Sequence, residues 1–429
     1  MERWKTLERV EAPFFAPKYG ALAGMRILAS GTITASNFAA CLMGEMGAEV
    51  IEIEMPNNIG DPYRAQFPAL TNGDQKVSAG WLQNRRNFLS FTLNTNLKYP
   101  ESKEIFLSLI KNVDVWLENL VWLDKLGITE DMLLEVNPKL IIVHVSGFGR
   151  PQFGGDPAIC DKPSYDVIGQ AEGGYMYLNG QREPGPPHYS ASFSCDFLTA
   201  LFVSTGVLAA YSNVLKGGMG QAIDVAQIET QARVLDDAWT VYRELNIVKG
   251  RSGNKVPIFQ PAAIYRAKDG RYIVPGAYGK PMYNRFLQAL DLDPEYFPYE
   301  KAGATKEAVD SPLGQELEQK TKEWFESHTA QEGQEQMVKF KVACGIAKTT
   351  AEIYSDPHFH DRGDFIKYKD ETLDREIEAF GFVPKFKGTP QQVWRGAPKL
   401  GQDTQAILSN ILGYSDSEIA AFKGKGIID

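Results

Sequence analysis

Asp196 is the acidic group of this chain with the clearest setting for chemistry. It opens an almost uncharged run that lasts to Tyr211, followed by a glycine-rich stop (Lys216, Gly217, Gly218, Gly220) and a strand-like Ile-Asp-Val-Ala. A carboxylate at the head of an apolar segment can act as a nucleophile or general base. A plainer role is also open, because aspartate at a helix start is a common N-cap. Tyr165-Asp166 brings a second carboxylate, at a distance from Asp196 that spacing leaves undetermined. Asn84-Arg85-Arg86-Asn87 stands just before a strand, where two guanidinium groups either hold phosphates or line a solvated loop. His358 and His360 form an H-x-H pair without a third ligand at a recognisable spacing, so a surface turn is simpler than a metal site. His144 sits inside an apolar strand, as satisfied core histidines do.

Two common chemistries lose their sequence support. There is no Gly-x-Ser-x-Gly elbow, which a serine hydrolase of the α/β type would carry. The first strand is followed by SGTITAS (30–36) in place of G-x-G-x-x-G, which argues against a dinucleotide site of the usual kind.

The elements that must position these residues follow from periodicity. MRILASG (25–31), AEVIEIE (48–54), FLSFTLN (88–94), DVWLEN and LIIVHVSGFG (140–149) read as strands. Between the first two lies a small-residue helix ended by Gly47, and 103–113 is an amphipathic helix. Strand and helix in alternation predict a parallel, doubly wound α/β domain. The stretch from Phe197 to Leu215 is apolar on nearly every face, which predicts a buried helix with Asp196 in its cap or first turn. From about 230 the character changes, and AIYRAKDGRYIVPG (263–276) reads as two antiparallel strands around a Lys-Asp-Gly turn. An amphipathic helix over 413–422 closes the chain.

At 429 residues two domains are expected, and the net charge of −9 with no basic block argues against general nucleic-acid or membrane-surface binding. The four cysteines lack CxxC spacing and the N-terminus lacks an apolar signal core. No apolar run reads as membrane-spanning, so the expectation is a cytoplasmic protein.

Several stretches together resemble the class III coenzyme A transferases, the family of formyl-CoA, carnitine and bile-acid CoA-transferases. They are GALAGMRILASG, GAEVIEIE, NRRNFLSFTLN, NPKLIIVHVSGFG, SYDVIGQA, CDFLTALFVSTGVLAA with GQAIDVAQIE, and PKFKGTPQQVWRGAP, in family order over nearly the whole chain. The resemblance implies an interlocked, ring-like homodimer. Each chain would have a Rossmann-like large domain and an inserted smaller α+β domain, here 1–229 with 345–429 around 230–344. It places the catalytic aspartate on Asp196, which would attack an acyl-CoA and pass through a mixed anhydride and an enzyme thioester. Coenzyme A thioesters are then substrates, a carboxylic acid is the partner, and neither a permanently bound cofactor nor a metal is implied. Ile33, Thr34 and Ala35 match the segment near the CoA thiol arm, Asn84, Arg85 and Arg86 the segment beside the adenosine phosphates, and Ser164, Tyr165 and Asp166 the segment upstream of the aspartate.

The chain departs from the family in two places. ENLVWLDKLG (118–127) lacks the arginine of the usual E-N-F-R-P-G, with Lys125 at the place of a later family arginine, a plausible phosphate contact. RSGNKVP (251–257) stands where the formyl-CoA branch has a glycine-rich loop, which favours the carnitine or bile-acid branch. The alternatives are an α-methylacyl-CoA racemase, whose histidine position aligns with Tyr165, and a non-catalytic CoA-binding protein. A phenol with an ordinary pKa near 10 suits two-base proton transfer poorly.

Overall fold

Six short segments build one parallel sheet: Arg26–Ala29 (β1), Glu49–Glu54 (β2), Phe88–Thr92 (β3), Val115–Glu118 (β4), Ile141–Ser146 (β5) and Gln221–Ala226 (β6). Their order is β3-β2-β1-β4-β5-β6, and every neighbouring pair is parallel. The structure is a computed structural model that describes residues 3–6, 13–120 and 122–429. Most of the charged N-terminal stretch and Val121 therefore lie outside the described residues.

Parallel neighbours need crossovers, and helices supply them. Ala35–Glu45 (α1) joins β1 to β2, and Pro100–Lys111 (α2) joins β3 to β4. The β5-to-β6 connection carries Asp166–Glu172 (α3) and Ser194–Leu215 (α4), and Gln227–Arg233 (α5) follows β6 directly. Side chains alternate across a strand, so each strand feeds two cores. Trp116, Ile142 and Ile51 pack with Ile105 and Phe106 of α2 on one face. Val115, Val143 and Ile27 pack with Ala39 and Met43 of α1 and Val203 and Val207 of α4 on the other. Strand order reverses between β1 and β4, and in such sheets ligands bind beyond the carboxyl ends of the strands at that point.

The expected all-round burial of α4 is corrected by the structure. Cys195, Thr199, Ala200, Val203, Val207 and Ala210 are buried, whereas Leu201 and Leu215 are exposed. Its 22 residues are long and apolar enough to cross a membrane on length and composition. One of its faces nevertheless packs into the α1 side of the sheet core.

The chain divides into two compact units, Met1–Tyr175, Ser190–Asp236 and Asp361–Asp429 in one, and Met176–Tyr189 with Asp237–His360 in the other. This differs from the sequence boundaries at 176–189 and at 345–360. Arg251 explains the first difference, because it donates to the carbonyls of Tyr177, Gln181 and Gly185 and so ties that excursion to the second unit. The second unit contains the antiparallel strands Tyr265–Arg266 and Tyr272–Gly276, with Ala343–Ile346 as a third. In the first unit, Phe365–Asp370 and Arg375–Phe380 form a hairpin that sequence reading missed. Ser415 and Glu418 form a capping box at the start of the closing helix, Asp416–Gly424.

The arginine pair is part of this frame. Arg85 has no exposed surface and pairs with Glu52 at 2.8 Å and Asp61 at 3.0 Å. It also donates to the Ile33 carbonyl at 2.5 Å, while Asp61 accepts from the Ile33 N–H at 3.0 Å. Arg86 is buried against Glu45 at 2.5 Å and donates to the Phe380 carbonyl. Asn84 is buried and donates to Tyr63 Oη. These guanidinium groups are committed to internal carboxylates, which corrects their reading as free phosphate-binding cations. Removing one member of a buried pair leaves a charge without compensation. Arg85→Ala is therefore expected to lower stability by about 3–5 kcal/mol in urea titrations, far beyond what a surface phosphate-binding arginine would show.

Candidate functional site

The entry into α4 is unusual, and the site is built on it. Ser192 and Phe193 both have positive φ (64° and 53°), a region that side chains other than glycine adopt at a cost of about 1–3 kcal/mol. Phe193 occupies the N-cap position but has no side-chain group to accept a hydrogen bond. The first amides of α4 would then lack partners. Asp166, the first residue of α3, supplies one: its Oδ1 accepts from the N–H of Cys195 at 2.7 Å and of Asp196 at 3.1 Å. Asp196 is thus the third residue of the helix and not its cap. The cap is a carboxylate from another helix.

Asp166 is itself held in place. Gln170, one turn along α3, donates to Asp166 Oδ2 at 2.7 Å and to the Ser190 carbonyl, and accepts from the Ser190 N–H. Helix α3 approaches α4 and α5 closely at Gly169, where a Cβ would lie 2.5 Å from Cys195 Sγ and 3.1 Å from Gln227 Cβ. A larger residue there would push Asp166 away from the helix start.

Gln227, the first residue of α5, completes the group. Its Nε2 donates to Asp196 Oδ1 at 2.6 Å, and its Oε1 accepts from Ser164 Oγ at 2.8 Å. Thr230 donates to the Gln227 carbonyl and shares a 3.0 Å hydrogen bond with Thr199 of α4, which locks the two helices together. Sequence reading passed over Gln227 because a glutamine after a strand has no motif. A signal was present only in its place immediately after β6, at the carboxyl edge of the sheet.

The structure therefore brings together Ser164, Asp166 and Asp196 from the sequence-derived set. Tyr165, between the first two, is exposed. Ile33, Thr34 and Ala35 form the turn from β1 into α1, with Ile33 in the left-handed region at φ 63° and Thr34 almost fully buried. Asn119 ties this turn to the end of β4 by exchanging hydrogen bonds with the Thr32 backbone at 2.9 and 3.0 Å. A small cavity of about 110 Å³ is lined by Ala35, Asn119, Ser146, Gly147, Ser164 and Gln227, among others. Arg150 also lines it, and Arg150 reappears in a larger cleft of about 600 Å³ that contains Trp122 and Lys125. Lys125 lies over the Trp122 ring at 4.5 Å. Asn84, Arg85 and Arg86 line neither cavity.

His144 belongs to a separate buried group on the other face of the sheet. It lies between Glu118 at 2.5 Å and Glu130 at 3.0 Å, as a satisfied core histidine should.

Burial pushes the Asp196 carboxyl up, the nearby Asp166 charge pushes it further, and Gln227 partly opposes both, leaving it at about 7. Helix position alone would have kept it low. Asp196 therefore holds its proton more tightly in the folded than in the unfolded chain, where its value is about 3.9. The sign follows: its contribution to stability is fully present below pH about 4 and is lost as pH rises through about 7. Asp196→Asn, which cannot ionise, is expected to raise the melting temperature, by more at pH 8 than at pH 5, corresponding to roughly 1–4 kcal/mol at the higher pH.

The chain was compared with known proteins. Residues 22–404 match the model of CoA-transferase family III. A bile acid CoA-transferase, BaiK, of Clostridium scindens is 34% identical over 419 residues, covering 96% of this chain and 90% of that protein. The fold is similar to that of a CAIB/BAIF family protein of Brucella suis (TM-score 0.76, 23% identity, 92% of this chain and 100% of that one). It is also similar to Rv3272 of Mycobacterium tuberculosis (TM-score 0.76, 22% identity, 91% and 100%). With a family match across most of the chain and a relative at this identity, the protein belongs to CoA-transferase family III and is a CoA-transferase.

Proposed function

We propose that this enzyme moves coenzyme A reversibly from an acyl-CoA to a carboxylic acid, with Asp196 as nucleophile. One observation carries the reading. Asp196 Oδ1 is clamped by Gln227, while Oδ2 has no hydrogen-bond partner among the described residues and is not sealed from solvent. A carboxylate with one oxygen fixed and the other open, titrating near neutrality, is suited to attack a thioester carbonyl. Attack forms a mixed anhydride and expels the CoA thiolate. The thiolate then attacks the aspartyl carbon, releases the donor acid and leaves an enzyme thioester. The acceptor acid reverses the sequence and departs as the new acyl-CoA.

The cavity bordered by Ala35 and Gln227 is the proposed seat of the thiol end of CoA. The cleft with Trp122 and Lys125, which shares Arg150 with it, is the proposed seat of the nucleotide end. Lys125 would then carry a phosphate contact first expected of Arg85 and Arg86 as well. The similarity to a bile acid CoA-transferase and the absence of a glycine-rich run at 251–257 support an acceptor of the bile-acid or carnitine type. We further propose an interlocked homodimer. Exposed Trp239, Tyr242, Leu245, Ile247 and Val248 support it as surface for a second copy. The four cysteines, free in the structure, support a cytoplasmic setting.

Asp196→Ala is expected to abolish transfer, with at least a ~10³-fold loss of kcat, while CoA affinity changes less than about threefold. Hydroxylamine added during turnover should modify Asp196 and no other carboxylate, as located by mass spectrometry. Near-normal turnover in the variant would refute the mechanism, and rapid α-proton exchange in D₂O without transfer would identify racemase chemistry instead. Because the ionised form attacks, kcat/KM should rise about tenfold per pH unit below pH about 7 and level off above it.

A further inference from the structure

The geometry points to Gln227 as a catalytic residue that acts on the aspartyl half of the reaction, donating its Nε2 hydrogen bond to the oxyanion that forms on Asp196 Oδ1. This rests on Asp196 being the nucleophile and assigns the step that Gln227 serves.

The two carboxylate oxygens have different fates. Oδ2, the open one, bonds to the donor's carbonyl carbon in the first step, and the C–S bond of the acyl-CoA breaks to release thiolate. In the second step the thiolate attacks Asp196 Cγ. A Cγ–S bond forms, and the electron pair of the Cγ–Oδ1 double bond moves onto Oδ1. When that pair returns, the Cγ–Oδ2 bond breaks and the donor leaves as a carboxylate that takes Oδ2 with it. No proton is gained or lost. The acceptor carboxylate later attacks the same carbon, and the charge develops on Oδ1 again. Steps at Cγ therefore place negative charge on the oxygen that Gln227 holds at 2.6 Å, whereas steps at the substrate carbonyl place it elsewhere.

Gln227 is built to keep that hydrogen bond aimed. Its carboxamide is fixed at both ends, by Asp196 on one side and the Ser164 hydroxyl on the other. Its carbonyl accepts from Thr230 Oγ1 at 2.8 Å and lies 3.8 Å from Cys195 Sγ. The carboxamide is 7% exposed with its residue, so water competes weakly for the developing charge. A donor fixed before the reaction and shielded from water is what electrostatic stabilisation requires. Gln227 also lines the 110 Å³ cavity proposed for the thiol end of CoA.

The test separates the two halves of the reaction. Wild-type enzyme mixed with acyl-CoA and no acceptor should accumulate the CoA adduct on Asp196, seen by intact-mass spectrometry after acid quench, with little free thiol. Gln227→Leu should instead show free thiol, captured by a chromogenic reagent before the slowed second step consumes it. Its CoA adduct should form about 10²-fold more slowly, as when one oxyanion donor is removed. A residue that merely braced the fold would slow both steps together. Ser164→Ala, which frees one end of the carboxamide without touching Asp196, should slow adduct formation severalfold more than it slows thiol release, and it decides the matter if Gln227→Leu does not fold. Adduct formation at the wild-type rate in either folded variant, or an equal loss of both steps, would overturn the assignment. Failure of the wild-type enzyme itself to form any Asp196 adduct would instead remove the nucleophile reading beneath it.

Discussion

One carboxylate oxygen, Asp166 Oδ1, accepts the amides of Cys195 and Asp196, and the site depends on that contact. A helix start needs acceptors, and here the chain arrives through two left-handed residues, the second a phenylalanine that cannot provide one. The acceptor comes from α3, which fixes where α3 lies, and Gly169 permits the approach. Once α3 is placed, Ser164 lies just upstream of it and meets Gln227 of α5, which in turn reaches Asp196. Three helix starts, those of α3, α4 and α5, converge at one point near the carboxyl edge of the sheet.

The same contact sets the electrostatics. Asp166 brings a second negative charge to a carboxylate that is already desolvated, so Asp196 sits near neutrality instead of in the acid range. Such a group is held at the expense of stability above that pH, as functional sites often are. Gln227 moderates the effect with one hydrogen bond, and by choosing one oxygen it makes the two ends of the carboxylate chemically distinct.

A second buried arrangement fixes the turn that leads to Ala35 at the edge of the small cavity. Arg85, set between Glu52 and Asp61, holds the backbone of Ile33 from both its carbonyl and, through Asp61, its N–H. The turn after β1 is thereby rigid without the glycines that usual nucleotide-binding turns carry. Paired arginines before a strand resemble an anion site in sequence, because the carboxylates that neutralise them come from positions 45, 52 and 61. Only folding brings those partners in.

Periodicity alone determined the parallel strands, the helices between them, the antiparallel pair near 265–276 and the helix that carries Asp196 in its first turn, because burial on a strand or helix face leaves a local trace in residue order. Ordered short matches across the chain likewise marked Asp196, Asp166 and Ser164. The tertiary structure decided what those residues do to one another. It made Asp166 the cap and raised the affinity of Asp196 for its proton. It turned Arg85 and Arg86 inward, exposed one side of α4, and delivered Gln227 from a segment with no motif. These outcomes depend on contacts between residues about 30 to 300 positions apart, and hydrogen bonds and charge act through space, so spacing along the chain carries no record of them.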